Sequence, residues 1–160
     1  MSEPLIIRRA EETDFPAVQR LEELEFQLHR QARPDYFKTL EESYTRQEFQ
    51  ELLALPCPIA WVAEWEGQVA GLCFGKIDWT PENEVCRPRK VAFIQDLATL
   101  PDHRGRGIGT ALLRRAREQA VAEGAESLEL TVWDFNERAV ALYERMGLGM
   151  QYHRMEERLR

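Results

Sequence analysis

The stretch Arg104-Gly105-Arg106-Gly107-Ile108-Gly109-Thr110 sets three glycines at alternate positions, immediately before an apolar helical pattern. Glycine accepts positive φ and lets the backbone approach a ligand with no Cβ in between. The first amides of a helix have no intrahelical partner, and the helix dipole is positive at that end. A glycine loop opening a helix therefore converges N–H donors on one point and suits a phosphate. Two familiar phosphate loops do not fit. A P-loop needs Lys followed by Ser/Thr after its last glycine, whereas Thr110 follows Gly109 directly. A dinucleotide fingerprint needs Gly-x-Gly-x-x-Gly, and Gly105, Gly107 and Gly109 have the wrong final spacing.

Upstream of the loop, residues 91–100 read as a long apolar strand interrupted by Gln95 and Asp96 and ended by Pro101-Asp102. Downstream, Ile108, Leu112, Ala116 and Ala120 mark a helix that Gly124 closes. Leu128, Leu130 and Val132 alternate as a strand. Asn136 caps a last helix carrying Ala139, Leu142, Tyr143 and Met146, and Gly147 ends it. Residues 152–159 read as a final strand.

On the N-terminal side, Leu5-Ile6-Ile7-Arg8 reads as the first strand. Thr13-Asp14 supplies an N-cap with Pro16 in the first turn. Val18, Leu21, Leu24 and Leu28 give an amphipathic helix that Pro34 breaks. Thr45 and Glu48 form a capping box for a second helix with Phe49, Leu52 and Leu53 on its apolar face. Pro56 and Pro58 stop that helix. Residues 59–64 and 69–78 make a hairpin around Glu66-Gly67, and Gly71 and Gly75 point to bulges or close backbone approach. A polar loop, 79–90, follows. The expected order is β-α-α-β-β-β-α-β-α-β in one domain spanning 1–160. The β-α-β unit over 91–133 makes two strands parallel through a right-handed crossover. The hairpin strands are antiparallel, so the class is α/β with a mixed sheet.

Composition narrows the function. No apolar run is long enough to cross a membrane, and Met1-Ser2-Glu3-Pro4 does not begin a secretory signal. Cys57, Cys73 and Cys86 are odd in number and form no Cys-x-x-Cys pair, which indicates reduced thiols in a cytoplasmic protein and no zinc or other metal. Cys57 and Cys73 read as small buried hydrophobes. A net charge of −7 argues against nucleic-acid binding. The charge is uneven: residues 1–86 hold 17 acidic side chains against 8 basic, and 87–160 hold 11 against 13. Five arginines and no acid lie between His103 and Arg117. The second half suits an anionic cofactor and the first a cationic substrate, against the ordinary alternative that these charges face water.

Arg104-x-x-Gly107-x-Gly109 resembles the acetyl-CoA loop of the GNAT superfamily of N-acetyltransferases. The run from Phe93 to Gly109 is similar to that family's central strand and pyrophosphate loop. Asn136-Glu137-Arg138-Ala139-Val140-Ala141-Leu142-Tyr143-Glu144-Arg145-Met146-Gly147 is similar to its Asn…Ala…Leu-Tyr…Gly helix. The likeness is strong over 91–148 and only topological before that. It implies a splay between the central parallel strands. Backbone amides of Arg104, Gly105, Arg106, Gly107, Ile108 and Gly109 would hold the pyrophosphate, with a hydroxyl from Thr110. Leu97, Ala98 and Thr99 would face the pantetheine, and Asn136 and Ala139 the cofactor's other side. The two N-terminal helices would border the acceptor pocket.

Tyr143 stands where the family commonly has its general acid, and a phenol can protonate a departing thiolate. Asn136 and Tyr143 are seven residues apart, so they share a helix face. For the base, Asp96 interrupts an apolar strand beside the cofactor segment; a structural hydrogen bond for Asp96 and a water as proton carrier stay open. His103 reads as a turn residue. Trp61, Trp65, Trp79 and Trp133 read as strand packing, with Trp79 and Trp133 within reach of a pocket. The resemblance thus implies direct acetyl transfer from acetyl-CoA to a primary amine, cationic if the acidic half lines the pocket, and it is compatible with a homodimer. A non-catalytic acyl-CoA-binding regulator and a nucleotide-binding domain are the alternatives.

Overall fold

The computed structural model describes residues 4–160. Residues 1–3, part of the start read above as lacking a secretory signal, lie outside the described residues. Among the described residues, five strands form one sheet in the order β1-β2-β3-β4-β5: Leu5–Arg9, Pro58–Trp65, Gln68–Trp79, Lys90–Thr99 and Ser127–Leu130. The first four are antiparallel neighbours, and β4 and β5 are parallel. The mixed sheet expected from the sequence is present. Four helices accompany it: α1 Phe15–Ala32, α2 Arg46–Leu53, α3 Ile108–Ala122 and α4 Glu137–Arg145.

Alternation along β3 assigns the faces. A Cβ on Gly71 would lie 2.8 Å from Ile108 and 3.1 Å from Leu112, so this side carries α3. Phe74 stacks on Phe49 of α2 at 5.8 Å, so the other side carries the N-terminal helices. Cys73, as expected, is fully buried in the core, while Cys57 is only half-buried. Leu112 and Leu113 are fully buried beneath α3; each contributes about 1.5–3 kcal/mol by leaving water.

Local chemistry explains the element ends. Glu48 N–H donates to Thr45 Oγ1 at 3.1 Å and Thr45 N–H to Glu48 Oε2 at 2.7 Å, the expected capping box. Glu66 and Gly67 both have positive φ, which suits a two-residue hairpin. Asp14 occupies the N-cap of α1, but its carboxylate accepts from Arg8 at 2.8 and 2.9 Å and from Glu11 N–H at 2.7 Å instead of capping the helix. The Arg8 guanidinium offered a charge-assisted bidentate pair, the stronger interaction.

Three expectations are corrected. Residues 152–159 form no strand: they are exposed and unpaired with β5. Met150, Tyr152, Met155 and Leu159 lack a period of two, and Arg33–Glu156 and Arg158–Asp35 ion pairs, both 3.0 Å, tie this segment to the end of α1. Strand β5 stops at Leu130, so Val132 lies outside it. Leu28 is 42% exposed; the inward stripe of α1 continues instead through Glu22, Glu25, Phe26 and His29.

Candidate active site

The glycine loop takes the conformation its composition requires. Gly105 and Gly107 have φ of +77° and +79°, and nothing lies within 4 Å of a Cβ built on either. Their need is conformational, and the space beside them is open. Gly107 is the N-cap of α3, whose first helical bond runs from Ala111 N–H to Gly107 C=O at 3.0 Å. The amides of Ile108, Gly109 and Thr110 precede that bond and are available to a ligand. Arg106 stacks over Trp65 at 5.0 Å, and His103 meets the same ring edge-on. His103 therefore sits in the turn before the loop, as read from the sequence. Its buried Nδ1 has no hydrogen-bond partner among the described residues.

Beside the loop, the sheet opens. Pairing of β4 with β5 ends at Ile94↔Leu130, while β4 stays paired with β3 as far as Thr99↔Gly71. The β5-facing edge of residues 95–99, with Leu97, Ala98 and Thr99, therefore has no strand partner among the described residues. This is the expected splay.

A bulge aims the residues at the gap. Gly75 pairs with Ile94 and Phe74 with Asp96, so Gln95 is one residue too many in β4. That extra residue reverses the facing of everything after it. Asp96 is thereby turned to the side of Phe74, toward α1 and α2, instead of under α3. Gly75 is the counterpart of the bulge: a Cβ there would lie 2.0 Å from the Phe93 carbonyl oxygen.

On the α1/α2 face lies an open cavity of about 560 Å³. Its wall holds five carboxylates, Glu22, Glu25, Glu48, Glu51 and Asp96, against one lysine, Lys76, and His29. Gln95, Phe74, Tyr44 and Phe26 complete much of the lining. Burial raises the Asp96 carboxyl above the ordinary range, and the negative charges of Glu25 and Glu48 add to this, against His29. Burial also raises Glu22, with Asp96, Glu25 and Glu48 adding to it. Glu25 is raised by burial and held back by His29 and Arg104. The His29 Nδ1 lies 2.8 Å from the Glu25 carbonyl oxygen, which can only accept, so Nδ1 carries the hydrogen.

Tyr143 follows Leu142, which lies 3.2 Å from where a Cβ on Gly109 would sit, so its helix packs beside the start of α3. Tyr143 is half-buried on α4, and its phenol is raised by burial first and then by Cys73, Glu25 and Asp96. Those last two carboxylates belong to the cavity, so the phenol and the acidic wall sense each other. Asn136 Oδ1 accepts from Ala139 N–H at 3.3 Å and caps α4. That bond uses the Ala139 amide and leaves Asn136 its Nδ2 hydrogens. Trp79 and Trp133 do not line the cavity. Trp79 is 60% exposed at the end of β3, five residues beyond Phe74, roughly 17 Å along a strand. Trp133 packs with Tyr36, Phe37 and Phe135. Among the described residues, no group of three or more His, Cys, Asp or Glu is arranged to hold a metal ion.

Of the residues around the gap and the cavity, the sequence singled out Asp96, Tyr143 and the loop as site candidates, but not Glu22, Glu25, Tyr44 or Glu48. A signal was present: Val18, Leu21, Glu22 and Glu25 share one stripe of α1, so two acids continue an apolar face.

A mixed sheet that opens beside a glycine-loop helix, with an acidic cavity on the far face, defines an acyl-CoA-dependent transferase. The model of the acetyltransferase (GNAT) family matches residues 19–148. The chain belongs to that family and is an acetyl-CoA-dependent N-acetyltransferase. It is 28% identical over 151 residues to thialysine N-epsilon-acetyltransferase of Bos taurus, covering 89% of this chain and 83% of that one. It is 31% identical over 148 residues to the uncharacterized N-acetyltransferase YjgM of Escherichia coli K12, covering 89% and 80%. Among solved structures, a point mutant of the BH1408 protein from Bacillus halodurans superposes with a TM-score of 0.89 at 28% identity, covering 96% of this chain and 99% of that one.

Proposed function

We propose that this N-acetyltransferase acts on a cationic small-molecule amine, which enters from the α1/α2 face and attacks through the gap between β4 and β5. The acidic wall of the cavity, bordering Asp96, carries this reading. A relative named for N-epsilon acetylation of thialysine supports a small amine acceptor.

The residues present suit acetyl-CoA. Open space beside Gly105 and Gly107 and the unpaired amides of Ile108, Gly109 and Thr110 fit a pyrophosphate. Arg104 and Arg106 add positive charge, and the free edge of Leu97, Ala98 and Thr99 fits an amide-bearing arm. Acetyl-CoA supplies an activated acyl group as a thioester. The chain supplies the rest. Asp96, held partly protonated by burial, exchanges a proton with the incoming ammonium, directly or through water. Tyr143 keeps its proton because burial disfavours the phenolate, so it is ready to donate toward the departing sulfur. Asn136 and Ala139 hold the start of α4, which fixes where Tyr143 points.

An amine panel with acetyl-CoA and detection of free thiol tests this. Cationic alkylamines are expected to turn over faster than weakly basic arylamines, with an advantage that shrinks as salt rises. Equal, salt-insensitive turnover of both groups would remove the reading.

A further inference from the structure

We infer that His29 is the outlet for the proton that acetylation sets free: its Nε2 takes that proton from Asp96 and passes it to solvent. This rests on the proton exchange at Asp96 proposed above and adds the step after it. The balance of the reaction requires such a step. The ammonium loses one proton before its nitrogen attacks the thioester carbon, and a second as the new C–N bond becomes an amide. One of the two replaces the proton that Tyr143 gives to the departing sulfur. The other stays on Asp96 until something removes it, and a protonated Asp96 cannot serve the next ammonium.

His29 has the geometry for that removal. It lines the same cavity as Asp96. Its Nδ1–H donates to the Glu25 carbonyl at 2.8 Å, which leaves Nε2 as the nitrogen with the lone pair. Nε2 has no hydrogen-bond partner among the described residues. Phe37, from the α1–α2 connection, and Phe135, from the β5–α4 connection, both meet the imidazole edge-on at 5.6 Å and 75°, which holds the ring in place. The side chain is 22% exposed, so the ring borders the cavity and also reaches water. A histidine kept for packing alone needs neither a fixed tautomer nor an open nitrogen. The charged and titratable groups that share this wall with it are Glu25 from α1, Glu48 from α2, Lys76 from β3, Asp96 from β4 and Tyr44 from the connection before α2. The acids among them favour an imidazolium while it lasts, and Asp96 and Glu25 both respond to the charge of His29. Imidazole takes up and releases protons near neutrality, which suits a relay.

Two variants of the full chain test this with acetyl-CoA and a saturating cationic alkylamine at low buffer concentration. His29→Asn keeps an N–H where Nδ1 donates and removes Nε2. His29→Phe keeps a packing ring and removes both nitrogens. Each is expected to lose about tenfold or more in kcat, with the KM for acetyl-CoA unchanged. Free imidazole added to the assay should restore most of the loss and leave the wild-type rate as it was. The variants should also recover as pH rises and hydroxide takes the proton instead. A defect of packing or of cavity charge would not respond to a small free base. A loss that imidazole and alkaline pH leave in place overturns the inference, and so does an unchanged kcat in both variants. Asp96→Asn separates the two steps. A large cost at Asp96 with none at His29 removes the outlet alone, whereas no cost at Asp96 removes the proton exchange and the outlet with it.

Discussion

At the scale of single residues, the site is built from groups whose ordinary titration has been pushed upward. For Tyr143 as the proposed acid this is an advantage. A phenol that resists ionisation is a dependable donor, whereas one near its ionisation point would lose its proton as the thiolate formed. Tyr143→Phe removes the donor and keeps the ring that packs α4 against the core. The expected outcome is a fall in kcat of roughly a hundredfold to ten-thousandfold, the usual worth of a positioned acid. Stabilisation of the fold by coenzyme A in thermal melts should persist. Unchanged kcat with every acetylated amine would remove Tyr143 from the chemistry. Asp96 stood out in the sequence because it interrupts an apolar strand, and Tyr143 because it stands where the resembling family commonly has its general acid. Glu22 was not, because an acid beside Leu21 on an amphipathic helix looks like the polar margin of the stripe. Only the fold shows that the stripe turns into a cavity wall.

At the scale of elements, the β3–β4 pair does most of the positioning. The extra residue at Gln95 turns Asp96 toward the cavity, and Gly75 makes room for the displaced Phe93 carbonyl. Gly75→Ala places a methyl 2.0 Å from that oxygen, a contact with backbone that no rotamer relieves. The expected loss is about 3 kcal/mol or more, beyond ordinary overpacking, measured by urea unfolding. Gly107→Ala makes a useful contrast. There the space is open and only φ is unfavourable, so the cost should be about 1–2 kcal/mol. Equal losses at the two positions would show that Gly75 is not needed for close approach. The glycines of β3 announced a bulge or a tight approach, and both are found. That the surplus residue sits across the ladder, in β4, was not readable, since register belongs to the pair and not to either strand. The supposed last strand failed for a related reason. Tyr152 is a β-former, but the residues after it are mostly charged and have no period of two, and salt bridges to Arg33 and Asp35 hold them elsewhere.

At the scale of the whole molecule, binding function and stability pull in opposite directions, and pH exposes the conflict. The order of elements as far as α4 and the parallel β4–β5 pair followed from helix and strand periods, and the splay from the family resemblance. The concentration of acids in the first half was visible as a charge imbalance, but its convergence on one cavity needed α1, α2 and β4 brought together. That convergence has a cost. Glu22 and Asp96 ionise normally, near pH 4, in an unfolded chain, whereas burial raises both in the fold. Above that range the native state holds more protons than the unfolded one, so stability falls as pH rises toward and past neutrality. Asp14 behaves oppositely. Burial pushes its carboxyl up, but Arg8 and the Glu11 amide outweigh this and leave it lowered. Its contribution is present above the ordinary carboxylate value and is lost as pH falls below it. Stability is therefore expected to peak at mildly acidic pH and decline on both sides. Glu22→Gln removes one buried ionisable group, so it should flatten the alkaline decline and raise stability there by on the order of 1 kcal/mol. Thermal melts of both proteins across the pH range check this. A wild-type curve that keeps rising from mildly acidic to mildly alkaline pH would mean that the cavity acids ionise freely in the fold, and that the acidic wall is far more hydrated than its burial indicates.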